Sequence, residues 1–223
     1  MAVTSSTGAS TVTAVPNAAH ERSIVEDRKL RIAAVGDELI AGVGDPRALG
    51  WLGRVLARTP QEGISLEAYP LASPQEGTEA LAARWRQECD RRFDDFHENR
   101  LVIGLSGRDI DFGLSTARSR LNLANILDGA AQLSIPAFVV GPPPSLDPAL
   151  NKKLAELNTA FADVTTRRKH RYVDTFSPLQ NHEQWRTDLA ANGGMPGQAG
   201  YGLMAWLVLH RGWYQWLNIP EAL

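Results

Sequence analysis

A chain of 223 residues is long enough to bury one sizeable core and too short to favour two independent domains. Hydrophobic residues make up 43% and charged residues 22%, and a formal net charge of −2 speaks against a general nucleic-acid or anionic-membrane surface. The single cysteine, Cys89, excludes an intramolecular disulfide, and no run approaches the roughly 18 apolar residues that span a bilayer.

Residues 1–27 are rich in Ser, Thr and Ala, with no basic start and no apolar stretch, so they read as a disordered tail ahead of a domain over 28–223. A cytoplasmic location is the default expectation, since nothing in the sequence points to export or to an oxidising compartment. The first strand is predicted at 30–35 (LRIAAV), followed by a Gly- and Asp-rich turn over 36–49 and a helix over 50–58. A second strand is predicted at 64–69. The helix after it, Thr78–Asp90, carries Leu81, Trp85 and Cys89 on one stripe, which makes Cys89 a structural thiol.

Residues 100–105 (RLVIGL) form a continuous apolar third strand, as expected where helices cover both faces of a sheet. A helix over 117–133 follows, then a fourth strand at 136–140 that stops at Gly141-Pro142-Pro143-Pro144. A helix over 148–169 ends in a basic run, Arg167 to Arg171, read as a solvated helix end. A short strand at 171–174 and a long C-terminal helix over 198–217 complete the pattern, with Trp206, Trp213, Tyr214 and Trp216 assigned to packing. Strands separated by helices imply a three-layer α/β/α sandwich around a five-stranded parallel sheet. Ligands bind such sheets beyond the C-terminal strand ends, where the turns starting at Gly36, Leu71, Ser106 and Gly141 lie.

The first of these turns reads Gly36-Asp37-Glu38-Leu39, then Gly42, Gly44, Gly50 and Trp51. The far end of the chain reads Asn192-Gly193-Gly194-Met195-Pro196, then Gly200-Tyr201, and the third strand is followed by Ser106-Gly107-Arg108-Asp109. In spacing these blocks resemble those of the SGNH/GDSL hydrolases, which carry GDSL-x-x-G-x-G after the first strand, G-x-N-D after the third and DG-x-HP near the end. The resemblance covers nearly all of the chain after Leu30 and implies a flavodoxin-like SGNH fold. It places Glu38 at the nucleophilic serine, Arg108 at the oxyanion-hole asparagine, Asn192 at the triad aspartate and Met195 at the general-base histidine. Ala72 aligns with the oxyanion glycine.

Ester hydrolysis by that constellation needs an attacking hydroxyl, a base within reach, an orienting carboxylate and donors aimed at the oxyanion. Met195 has no titratable nitrogen and Asn192 no charge, so the inherited serine mechanism is expected to be absent. Glu38 and Arg108 are expected to pair across neighbouring strands, and Met195 to plug the acyl space. Asp37, Ser73, Ser106, Asp109 and His182 are further candidates to line a pocket; a Ser106–His182 couple is weighed against turn serines and a surface histidine. The glycine loop matches no phosphate-binding spacing, and Asp37, Glu38 and Asp45 would repel phosphate. No histidine shows metal-ligand spacing, so neither a metal nor a cofactor is expected. Two functions follow: a non-hydrolytic protein that binds an unidentified small molecule or protein partner, or an enzyme of altered mechanism. The second would use Glu38 as acid, base or nucleophile, with Arg108 binding an anionic group.

Overall fold

The computed structural model of the chain describes Met1 and residues 27–221, so the expected tail lies, Met1 and Asp27 aside, outside the described residues. Five strands, β1 (Arg28–Gly36), β2 (Ile64–Ala72), β3 (Glu98–Gly104), β4 (Ala137–Val140) and β5 (Arg171–Val173), form one sheet in the order β2-β1-β3-β4-β5. Every pairing is parallel. Strand β2 runs three residues past its expected end at Tyr69. It does so through Pro70, which an edge strand tolerates because its outer face needs no ladder donor.

The connecting helices are α1 (Glu38–Ala41), α2 (Gly50–Ala57), α3 (Thr78–Asp90), α4 (Arg108–Asp111), α5 (Thr116–Gln132) and α6 (Pro148–Arg167). They are followed by α7 (Phe176–Leu179), α8 (Glu183–Ala191), α9 (Gln198–Val208) and α10 (Tyr214–Leu217). Alternate residues of β1 enter opposite faces, and that period of two splits the core. Leu30, Ile32 and Ala34 pack with Trp51, Trp185, Tyr201 and Trp213 of the layer containing α2, α8 and α9. Ala33 and Val35 pack with Leu81, Trp85, Leu127 and Phe161 of the layer containing α3, α5 and α6. Cys89 belongs to this second layer; burial pushes its thiol up to about 12, which fits a packed side chain and not a nucleophile.

Two expectations need correction. The C-terminal helix is not continuous over 198–217: it breaks at Arg211 (φ −118°, ψ 39°) and Gly212 (φ 104°), a left-handed turn that glycine adopts without strain. Trp213 is fully buried beyond the break, its ring 5.4 Å from that of Phe138, but Trp206 is 53% exposed and stacks on His210. The stretch between the fifth strand and residue 198, given no element by the sequence pattern, holds α7 and α8; His182 lies in the turn just before α8, which is anchored through Trp185 and Leu189, four residues apart. Among the described residues no helix is long and apolar enough to cross a membrane.

Candidate functional site

The turn after β1 is pressed against β3: a Cβ on Gly36 would collide with the Gly104 carbonyl, so only glycine lets the chain leave the sheet here. Asp37 follows and caps α1 by accepting from the Leu39 N–H at 3.0 Å. Burial pushes its carboxyl up; hydrogen bonds from Ser106 and Leu39 act in the other direction without overcoming it.

Glu38 is the first residue of α1, and donors converge on its carboxylate. The Gln75 N–H reaches it at 2.7 Å, its own backbone N–H turns toward it, and the Arg108 guanidinium forms a close ion pair with it. Burial raises its pKa, but these donors together hold it below the usual carboxylate range. Arg108 meets Glu38 because β1 and β3 are hydrogen-bonded neighbours and α4 starts four residues beyond the end of β3. The guanidinium also lies 3.1 Å from Asp111 and 3.9 Å from Asp37.

The backbone amide at Glu38 is not that of Ala72, the residue that the resemblance places at the oxyanion glycine. Ala72 ends β2, paired with Gly36, and the donor is three residues further on. Gln75 is held at φ 55°, a left-handed conformation that turns its N–H toward the strand ends. No side-chain signal marks a backbone donor, so the sequence left it hidden.

Above Glu38 opens a cleft of about 200 Å³. Its polar end is formed by Asp37, Glu38, Ser106, Arg108 and Asp111. Pro143 and Pro144, Leu150 and Leu154 of α6, Trp185 and Leu189 of α8, and Met195 make its apolar walls. The Trp185 indole N–H donates to the Pro144 carbonyl at 3.1 Å, tying α8 to the turn after β4. Met195 stands on this wall, half-buried, and leaves the cleft open where a plug was expected.

Asn192 does not point at a reacting group. Its Nδ2 donates to the Gly44 carbonyl at 3.0 Å and the Met195 carbonyl at 3.1 Å, clasping the last loop to the first. Gly44 sits in that clasp at φ 93°, and a Cβ there would lie 2.7 Å from the Pro196 carbonyl. The Tyr201 hydroxyl donates to the Val43 carbonyl at 2.7 Å and closes the same contact. Asp45 finishes the first loop by accepting from the N–H groups of Arg47 and Gly50 and pairing with Arg54, which brings its pKa down to about 2.

The remaining candidates separate. Ser106 lines the cleft. Asp109 is buried behind it, accepting from the Thr78 N–H and hydroxyl, each at 2.6 Å, and so caps α3. The Ser73 N–H bonds the Gly36 carbonyl at 2.9 Å, and Ser73 is not on the cleft wall. His182 is exposed at the start of α8, beside a separate depression that it shares with Asp188, so no Ser106–His182 couple forms.

A parallel sheet in this order, with a cleft assembled from the turns after β1, β2 and β3 and the loop before α9, defines an α/β protein of the SGNH hydrolase type. Residues 34–203 match the model of the GDSL-like lipase/acylhydrolase family, and the chain belongs to that family. Solved structures share the fold. TesA superposes with a TM-score of 0.67 at 19% identity, over 82% of this chain and 97% of TesA. The lipase/acylhydrolase from Enterococcus faecalis gives a TM-score of 0.66 at 17% identity, over 86% and 98% of the two chains. AlinE4, an SGNH-hydrolase family esterase, gives 0.58 at 24% identity, over 71% and 81%. No curated protein matches the sequence.

Proposed function

We propose that this chain is a non-hydrolytic member of its family that uses the cleft above Glu38 to bind a small molecule. One observation supports this above the others: the Glu38 carboxylate is itself the acceptor for the Gln75 N–H and the Arg108 guanidinium. Donors of this kind would have to face a reacting oxyanion for acyl transfer to be accelerated. On the opposite wall Met195 offers no proton acceptor, and Asn192, which does not line the cleft, is engaged with two backbone carbonyls. The open, mostly apolar cleft favours ligand binding over a site closed by its own side chains.

The altered-mechanism reading draws on the same cleft, since Glu38 lies on its wall. Its weakness is the state of the two groups it needs. A carboxylate held ionised by three donors is a poor general acid, and Arg108 already has three carboxylates within 4 Å. The test is turnover of p-nitrophenyl acyl esters against a heat-killed control, alongside a fragment screen monitored by NMR. No turnover together with saturable shifts at Met195 and Leu154 is expected. Turnover that organophosphonates abolish would defeat the proposal.

A further inference from the structure

We infer that Glu38 sets the charge of the ligand: with Glu38 present the cleft takes a small amphiphile with an ammonium head, and without that carboxylate it takes a carboxylate. The inference rests on the binding role proposed above, and two observations carry it. The first is the donor set. The Gln75 N–H at 2.7 Å, the backbone N–H of Glu38 and the Arg108 guanidinium all engage one carboxylate at the polar end of an apolar cleft, Gln75 on Oε2 and Arg108 on Oε1. That arrangement suits a bound carboxylate, and the chain fills it with its own.

The second is the charge count once it is filled. Asp37, Glu38 and Asp111 then surround a single guanidinium, with Asp111 3.1 Å and Asp37 3.9 Å from it. An incoming anion meets a cation already outnumbered, in a half-buried setting where like charges repel more strongly than in water. An ammonium meets the reverse. Asp111, whose side chain is 50% exposed, turns free acceptor capacity outward, and the alkyl body lies along Pro143, Leu154 and Met195.

Removing the Glu38 carboxylate empties the donor set and lowers the charge count from three carboxylates to two around the one guanidinium. The exposed Gln75 N–H, the Glu38 N–H and the part-buried face of Arg108 then lose their acceptor, and the guanidinium above all favours one supplied from outside. Glu38→Gln is different: its amide oxygen can accept from only one of the two, since Gln75 bonds Oε2 and Arg108 Oε1, but the amide still occupies the place of an incoming carboxylate while the charge is gone.

The experiment titrates wild type, Glu38→Ala, Glu38→Gln and Asp111→Asn with n-hexylammonium, hexanoate and 1-hexanol. Affinity is read by calorimetry and by NMR shifts at Met195 and Gln75, with circular dichroism verifying that each variant is folded. Wild type is expected to bind hexylammonium about tenfold more tightly than hexanoate, the scale of one charge-assisted hydrogen bond. Asp111→Asn should narrow the gap several-fold. Glu38→Gln should lose the ammonium preference without gaining a carboxylate preference, and Glu38→Ala should invert the order. Hexanoate binding wild type as tightly as hexylammonium overturns the inference, as does a folded Glu38→Ala protein that keeps the wild-type order. If hexanol binds wild type as well as hexylammonium, the charge role falls and the binding role stands. If none of the three binds any of the proteins, both fall.

Discussion

On one side of the cleft, Glu38, Asp37, Arg108 and Asp111 are joined by charge; on the other, Asn192, Met195 and Pro196 are joined by side-chain hydrogen bonds to backbone carbonyls and by close packing. Both sides carry blocks whose spacing resembles that of the family, and on the function proposed above neither serves hydrolysis. What the two halves share is backbone: Gly36 where the chain leaves β1 against β3, and Gly44 where the last loop meets the first. The spacing of such motifs therefore records how loops dock, and the chemistry carried between the glycines can change without disturbing the docking. The charged half should answer to pH and salt, the packed half to volume and backbone geometry.

The largest effect is expected from Arg108→Ala, which leaves the Glu38 and Asp37 carboxylates, 13% and 4% exposed, without their cation. A loss of about 2–3 kcal/mol in urea unfolding is expected. The sign with pH separates this from simple packing loss. Glu38 has a lowered pKa in the fold, so its stabilisation is present above the ordinary carboxylate pKa and disappears as pH falls through the folded value. Asp37, raised by burial, works in the opposite sense and would be raised further without Arg108. The gap between wild type and variant should therefore be wide near neutrality and close as the pH falls below the ordinary carboxylate range. A gap that stays constant across that range would remove the distinction between the two halves.

Gly44→Ala probes the packed half, combining a left-handed φ of 93° with a Cβ placed 2.7 Å from the Pro196 carbonyl. It should cost about 2 kcal/mol with no dependence on pH between neutrality and acid. Asn192→Ala deletes two hydrogen bonds of the clasp and should cost about 1–2 kcal/mol in the same measurement, also independent of pH. Met195→Leu, on an open wall, should change stability by less than about 1 kcal/mol while altering which fragments bind. A Met195→Leu loss as large as that of Gly44→Ala would mean that Met195 bears on the clasp and not only on the cleft.

The sheet and most helices were legible because their causes are local. Apolar runs such as 100–105 and the stripe of α3 at four-residue spacing state their burial directly, and Pro142-Pro143-Pro144 ends β4 unambiguously. The Glu38–Arg108 pair was legible too, because adjacent parallel strands bring their following turns together. What the sequence concealed depends on backbone orientation. Gln75 acts through a backbone amide with no side-chain signature, aimed by a left-handed φ that glutamine rarely adopts, so the motif pointed to Ala72 and not to Gln75. The break at Gly212 is hidden in a run apolar enough to pass for one helix. Asp109 matched a motif, but its side chain turned away from the cleft to cap α3.

Cys89 gives the molecule a built-in clock. Its thiol is 1% exposed under α3, and burial suppresses the reactive thiolate. An alkylating reagent can modify it only after α3 has lifted from the sheet, and the chain offers no second thiol to confuse the signal. The rate of labelling therefore counts openings of the layer behind β1 and β3, one molecule at a time, while the cleft at the strand ends is left untouched.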